Sequence, residues 1–266
     1  MEKITATIIT RNEENNIERC LNALQGVADE IIVVDSYSTD RTIEICNRYN
    51  CKVTQREFQG FGSQRQYATG LASNSYILSI DADEVIDEEL RSYLIKAKEE
   101  GFKHRVYSVH ILNYFCGKPL KHSGYEPVWQ VRLFNRRYAN WNLRDFSDSV
   151  SFPDSVNPEP LPGTIHHYRC SSLAEFNKKE NRLAALKARV LATANPDGIC
   201  PFSPAMHAAG DFLAAHTIDL SWLDGKQGLA IASRRARTAY ESYRMARFII
   251  KESHLPYDIS APLDRR

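Results

Sequence analysis

The first hundred residues alternate between two periods, and this restricts the fold more than any other feature of the chain. Short, largely β-branched runs are separated by stretches with helical spacing: "ITATIIT" from Ile4, "EIIVVD" from Glu30, "CKVTQ" from Cys51 and "YILSID" from Tyr76. Runs this short and apolar suit strands buried on both faces. Between them, Glu14 to Gln25 sets Ile17, Leu21 and Leu24 on one helical face. "STDRTIEICNRY" opens with residues suited to a cap and continues as a helix. Gln64 to Leu71 reads as a helix, and "DEELRSYLIKAKEE" as a capped one. Such alternation predicts a parallel sheet with right-handed crossovers.

From about Arg105 the pattern changes. "RVYSVHILNYF" and "VWQVRLFNRR" read as longer strands of a mixed or antiparallel sheet. "SFPDSVNPEPLPG" holds four of the eleven prolines and is expected to be a loop. Beyond Ser171 the chain turns helical, over Leu173 to Ala194, Pro204 to His216 and Asp224 to Glu252. The expected division is 1–104, 105–170 and 171–266. In the last helix Leu229, Ala232, Ala236, Ala239, Tyr243, Ala246 and Ile250 form an apolar stripe, with Arg234, Arg237, Arg244 and Lys251 on a different face. Two readings stay open for it: a packed helix with solvated charges, or a basic amphipathic helix resting on an anionic membrane.

With 34 basic and 33 acidic residues, the chain has no overall field for nucleic acid. Its six cysteines are scattered without a CxxC pair, which favours reduced thiols over a disulfide framework. The start "MEKITATIITRNEE" is not a signal peptide, and no run approaches the ~18 to 20 apolar residues of a membrane span. A cytoplasmic protein, or one peripheral to the cytoplasmic face of a membrane, is expected, the second if the basic last helix rests on lipid.

Three of the strands end in polar clusters: Thr10-Arg11-Asn12-Glu13, Asp35, and Asp81-Ala82-Asp83. Open parallel sheets bind ligands outside the carboxyl ends of their strands. Asp81, Asp83 and Glu84 occupy three of four successive positions. Carboxylates about 4 Å apart repel by roughly 4 kcal/mol at a surface-like dielectric, and a divalent cation would offset that. Mg²⁺ or Mn²⁺ commonly bridges one or two carboxylates and substrate phosphates. No GxxxxGK[ST] is present and no GxGxxG follows the first strand, which removes ordinary P-loop and dinucleotide readings.

Taken together, "TIITRNEENNIERCLNAL", "DEIIVVDSYSTDRTIEI", "GFGSQRQYA" and "YILSIDADEVI" resemble the family-2 glycosyltransferases with the GT-A fold. Within that group the chain is most similar to the lipopolysaccharide-core and related bacterial cell-surface enzymes. "VWQVRLFNRR", "HHYRCSSLAEFNKKENRLA" and "WLDGKQGL" extend the likeness over nearly the whole chain. The resemblance implies an α/β fold of GT-A type: a Rossmann-like, mostly parallel central sheet with flanking helices, a mixed acceptor-side sheet and a C-terminal helical extension. Residues 1–104 would form the nucleotide-sugar-binding half and 105–170 the acceptor-side half.

It also implies an inverting, metal-dependent transfer of a hexose from a nucleotide-diphosphate sugar, typically UDP-linked, to a saccharide or lipid-linked acceptor. Thr10, Arg11 and Glu13 would surround the donor nucleoside, and Asp35 would meet the nucleobase. Gln64 and Arg65 would approach the donor, Arg65 neutralising the diphosphate or standing as a solvated helix charge. Asp81 would face the donor sugar or ribose, and Asp83 would be the main ligand of Mg²⁺ or Mn²⁺. Asp40 is read as a helix cap. Trp129 and Arg132 would line the acceptor side, or fill the core and brace the sheet. The resembling enzymes carry Val-His-Glu where this chain has "DFSDSVSF", which sets Ser147 at the histidine and Asp148 at the glutamate. Asp148 is the first choice for the base and Asp145 the alternative, with Glu84 a third candidate read as a supporting residue. His166 and His167 are read as structural. Two other functions remain: a degenerate sugar-nucleotide-binding protein, and a sugar-phosphate nucleotidyltransferase, against which the glycine-free "TRNEENN" argues.

Overall fold

The computed structural model describes residues 1–125, 127–143 and 149–253. The chain divides into two compact units, the first comprising Met1–Tyr114 and Pro127–Arg169, the second Phe115–Glu126 and Cys170–Arg266. Residues 115–126, expected with the mixed-sheet half, therefore group with the C-terminal helices.

The strands of the first unit are β1 (Ile4–Thr10), β2 (Glu30–Asp35), β3 (Lys52–Gln55), β4 (Tyr76–Asp81), β5 (Glu84–Ile86) and β6 (Val106–Phe115). After β7 (Lys118–Pro119), which falls in the second unit, come β8 (Val128–Asn135), β9 (Asn140–Trp141), β10 (Val150–Ser151) and β11 (Glu159–Cys170). The helices are α1 (Ile17–Leu24), α2 (Thr42–Arg48), α3 (Phe61–Leu71) and α4 (Glu88–Glu100). The sheet order is β3-β2-β1-β4-β8-β6-β11-β5. Strands β1 to β4 are parallel, whereas β8 runs antiparallel to β4 and β6, and β5 antiparallel to β11. The parallel and antiparallel portions are halves of one sheet, the GT-A arrangement that the resemblance implies.

Alternation along the strands builds a core on each face. Val33, Leu78 and Ile80 pack with Ile17, Leu21, Ile45, Leu90 and Leu94 of α1, α2 and α4. Ile32, Val34 and Ile77 pack on the other face with Ala68 of α3 and with Trp141 and Val150 of the β9–β10 hairpin. Each fully buried Leu or Ile contributes roughly 1.5 to 3 kcal/mol. Helix α4 starts at Asp87, whose side chain accepts from Leu90 N at 2.8 Å, and stops at Gly101 with φ 88°.

The proline-rich stretch departs from expectation, because β11 begins inside it. Pro160 and Pro162 lie beyond the last residue paired with β5, Ile165, so no partner needs their missing N–H groups on that side. Leu161 between them is buried and anchors the strand.

The second unit contains α5 (Leu173–Ala194), α6 (Ser203–Thr217), a 3-10 turn at Ser221–Asp224, and α7 (Gly225–Ser253). The turn explains why 115–126 belongs here. Asp224 accepts from Lys121 N at 3.2 Å, His122 N at 3.0 Å and Ser123 Oγ at 2.6 Å. Gly228 permits this approach, since a Cβ there would stand 1.7 Å from the Ser221 carbonyl oxygen. Helix α7 packs on α5, where Arg234 donates to Asn181 at 2.5 Å and Thr238 to Glu180 at 2.8 Å. It also packs on α6, where the His207 ring stacks on Tyr243 at 3.9 Å. Ala232, Ala239, Ala246 and Ile250 of the expected stripe are buried, and because two helices flank α7 its buried arc is wider than that stripe. Leu229 is 52% exposed, and Arg234, expected among the solvated charges, is 5% exposed. Among the described residues no helix is long and apolar enough to cross a membrane.

Candidate functional site

The register of the parallel strands brings their ends together. Thr10 pairs with Asp35, Asp35 with Gln55, and Ile9 with Asp81. The polar clusters after β1, β2 and β4 therefore share one edge, as a ligand-binding α/β sheet requires.

Asp35 is fully buried, and its carboxylate accepts from Ser38 N at 2.9 Å, from Ser38 Oγ, and from Gln55 Nε2 at 3.1 Å. A carboxylate offers about four lone-pair sites, three of them taken here, and Asp35 has no exposed surface. Gln64, also fully buried, donates to Ser36 Oγ at 3.1 Å. Thr10 Oγ1 and Gln64 Oε1 are buried without a hydrogen-bond partner among the described residues. The loops after β1 and β2 clasp each other. Asn12 N donates to Ser38 Oγ and Thr39 N to Asn12 Oδ1, each at 2.8 Å. Asp40 accepts from Thr42 N at 3.0 Å, Thr42 Oγ1 at 2.6 Å and Glu14 N at 3.1 Å. Burial alone would raise its pKa, but these bonds outweigh burial and lower it. Asp40 thus serves the first turn of α2, as a cap does, and also ties the two loops together. Asn12 and Tyr37 hold left-handed φ of 56° and 57°, which asparagine tolerates and tyrosine rarely adopts.

The acidic turn has two tiers. In the buried tier, Arg65 Nη2 donates to both oxygens of Asp81 at 2.8 and 2.9 Å, with its guanidinium 4.9 Å from the Trp141 ring centroid. Arg132 donates to Glu84 at 2.5 Å and lies 3.7 Å from Asp81. Glu84 also receives the Asp81 N–H at 2.8 Å. Burial would raise the pKa of Asp81, but Arg65, Arg132 and His167 beside it hold the carboxyl well below the usual range. Burial pushes Glu84 the other way, and the neighbouring Asp81 adds to the rise against the pull of Arg132 and His167. Glu84 has no exposed surface and both its oxygens are engaged, so it organises the turn and is not placed to act as a base. Burial, with these carboxylates adding to it, also raises the Cys20 thiol well above its ordinary value.

The outward tier joins Asp83 to His167. Pairing of β5 with β11 sets His167 opposite Glu84, and its Nε2 lies 3.2 Å from Asp83 Oδ1. Its Nδ1 lies 3.7 Å from Glu84. His167, read as structural from sequence, therefore belongs to the site. Its signal lay in the alternation of β11, which puts it on the face of Ile165, whereas His166 turns to the Tyr114 hydroxyl at 3.2 Å. Asp83 would supply the carboxylate oxygen that Mg²⁺ or Mn²⁺ prefers, and His167, 3.2 Å from it, would hold that carboxylate in place or add a nitrogen to the softer Mn²⁺. Among the described residues no three His, Cys, Asp or Glu side chains converge as a metal cluster. Phosphate oxygens and water would have to complete such a shell.

The other expected residues are spread. Glu13 accepts from Asn16 Nδ2 at 2.6 Å, at the start of α1, and Arg11 is exposed. Arg132 is a buried brace of the acidic turn. Trp129 is 56% exposed and lies beside His110 with centroids 5.6 Å apart, so it does not fill the core. Asp145 and Asp148 lie outside the described residues.

The family model described as "Glycosyl transferase family 2" matches residues 5–152. A glycosyltransferase of Rickettsia typhi is 31% identical over 201 residues, which is 72% of this chain and 68% of that one. One of Rickettsia felis is 32% identical, over 72% of this chain and 71% of that one. The lipopolysaccharide core biosynthesis glycosyltransferase LpsC of Rhizobium meliloti is 28% identical, covering 70% of each. A solved glucosyl-3-phosphoglycerate synthase from Mycobacterium tuberculosis aligns at 22% identity with a TM-score of 0.35 over 42% of this chain, and this chain spans 44% of that structure. The chain belongs to glycosyl transferase family 2.

Proposed function

We propose that this family-2 glycosyltransferase transfers a hexose from a UDP-linked donor to a saccharide or lipid-linked acceptor of the bacterial cell envelope, with inversion and with Mg²⁺ or Mn²⁺. The observation that carries the reading is the convergence of Thr10, Asp35 and Asp81 at one sheet edge with the Asp83–His167 pair beside them. The likeness to LpsC supports the envelope assignment.

Asp35 would receive the imide N–H of uracil on its remaining lone-pair site once the loop after β2, which covers it here, opens. Thr10, Arg11 and Glu13 would border the nucleoside, and Gln64 the diphosphate side. Arg65, fixed by Asp81, keeps a positive charge beside the departing diphosphate. A cation on Asp83 and His167 would supply further stabilisation of the charge on that leaving group. The acceptor oxygen forms its bond to the anomeric carbon as the bond to the diphosphate breaks, and its proton passes to a carboxylate. Asp148 is our choice for that base, and Asp145 the alternative. Such assistance is worth about 10² to 10⁴-fold. Trp141, four positions before Asp145 in the sequence, rests against Arg65. Trp129 would face the acceptor. Family membership weighs against a sugar-phosphate nucleotidyltransferase.

Calorimetric titration of UDP and GDP, with and without Mn²⁺, tests this on wild type and Asp83→Asn. Metal-dependent UDP binding that the variant loses is the expected result. Absence of nucleotide binding by folded protein overturns the donor site and favours a degenerate relative.

A further inference from the structure

Helix α7 keeps one exposed face along its whole length. Positions 226, 229, 233, 237, 240, 244, 248 and 251 recur at spacings of three and four, and all are exposed. None is acidic. The cations Lys226, Arg237, Arg244 and Lys251 are interleaved with Leu229, Tyr240 and Phe248, the last of these 61% exposed. Arg237 is held by Glu241 at 2.7 Å. Among the described residues no ion pair engages Lys226, Arg244 or Lys251. At the C-terminal end of the stripe, Arg247 donates to Pro201 O at 3.3 Å, which brings Phe202, 72% exposed at the start of α6, beside it. The second unit as a whole carries 16 Lys and Arg against 11 Asp and Glu, although the full chain is nearly neutral.

We propose that this face of α7, extended by Phe202, docks on an anionic lipid surface. Its cations would meet the headgroups while Leu229, Tyr240, Phe248 and Phe202 enter the interfacial layer. A second copy of the chain is a poor occupant, since pairing acid-free stripes sets cation against cation. Nucleic acid would leave the interleaved leucine and phenylalanine exposed to water. The proposal rests on the lipid-linked branch of the functional reading and deepens it.

The test is co-sedimentation of the full chain with vesicles of phosphatidylcholine alone or mixed with phosphatidylglycerol. Binding to the mixed vesicles alone, falling as salt rises, is expected. The variant K226E/R244E/K251E should bind at least tenfold more weakly, while its thermal midpoint and its UDP titration match wild type. Phe248→Ser should weaken binding severalfold, by an amount that salt does not change. Equal binding to both vesicle types, no binding by folded protein, or full binding by the triple variant would overturn the proposal. So would a concentration-dependent dimer that Leu229→Ser abolishes. Loss of nucleotide binding with vesicle binding intact would count against the donor site alone.

Discussion

The two ends of the parallel sheet both carry buried carboxylates, and they use them differently. At the amino end, Glu30 accepts from Thr5 Oγ1 at 2.6 Å, Lys52 Nζ at 2.6 Å, and Ser73 N and Oγ at 2.8 Å. That network is closed, and it ties β1, β2, β3 and the approach to β4 together. At the carboxyl end, Asp81 and Glu84 are equally well held, but only so that Asp83 and His167 stand outward with side chains 14% exposed. One end uses charge to fasten the chain. The other fastens charge in order to present more of it.

The comparison breaks first at Arg132. Replacing it by methionine leaves fully buried Glu84 without its cation, and removing one partner of a buried pair costs about 3 to 5 kcal/mol. Urea unfolding should show that loss, and a change below about 1 kcal/mol would mean that Glu84 is protonated and the pair is no brace.

A smaller effect is expected at the closed end. Burial would raise the pKa of Glu30, but the bonds from Lys52, Thr5 and Ser73 bring it to about 2. A depressed carboxylate adds stability above its unfolded pKa of about 4.3, and the gain disappears as pH falls through the folded value. Glu30→Gln should therefore cost about 1 to 2 kcal/mol near pH 7, after allowance for the exposed Lys52, and almost nothing near pH 2. Paired urea titrations at the two pH values check this. A difference independent of pH would assign the effect to shape and not to charge.

The smallest change in stability is expected at Asp83. Asp83→Asn keeps the shape and sits in the outward tier, so its unfolding midpoint should lie within about 0.5 kcal/mol of wild type. A loss as large as that at Arg132 would merge the two tiers and remove the contrast between them.

Much of this organisation was legible in the sequence because it is local. The runs ending at Thr10, Asp35 and Asp81 revealed both the parallel strands and their common edge, since the period and the polar stop lie within a few residues. The role of His167 was not legible. It arises from an antiparallel pairing of β5 with β11, which joins residues far apart in the chain. The same holds for Arg65 with Asp81, where Arg65 was read as facing the diphosphate or solvent, and for Arg132 with Glu84, where Arg132 was read as lining the acceptor side or bracing the sheet. Leu229 and Arg234 exchanged their expected environments because the number of helices packed around α7 is a tertiary fact. A single amphipathic period cannot encode it.

The clasp between the loops after β1 and β2 has a consequence for motion. Asn12, Glu13 and Glu14 are bonded to Ser38, Thr39, Asp40 and Thr42 through side chains meeting backbone groups. Loops joined in this way open as one cooperative element and not as two independent ones. A rim that moves as a single lip would admit or release the proposed donor in one step. Its opening free energy is then a property of the clasp, adjustable at Asn12 or Ser38 without altering any strand of the sheet below.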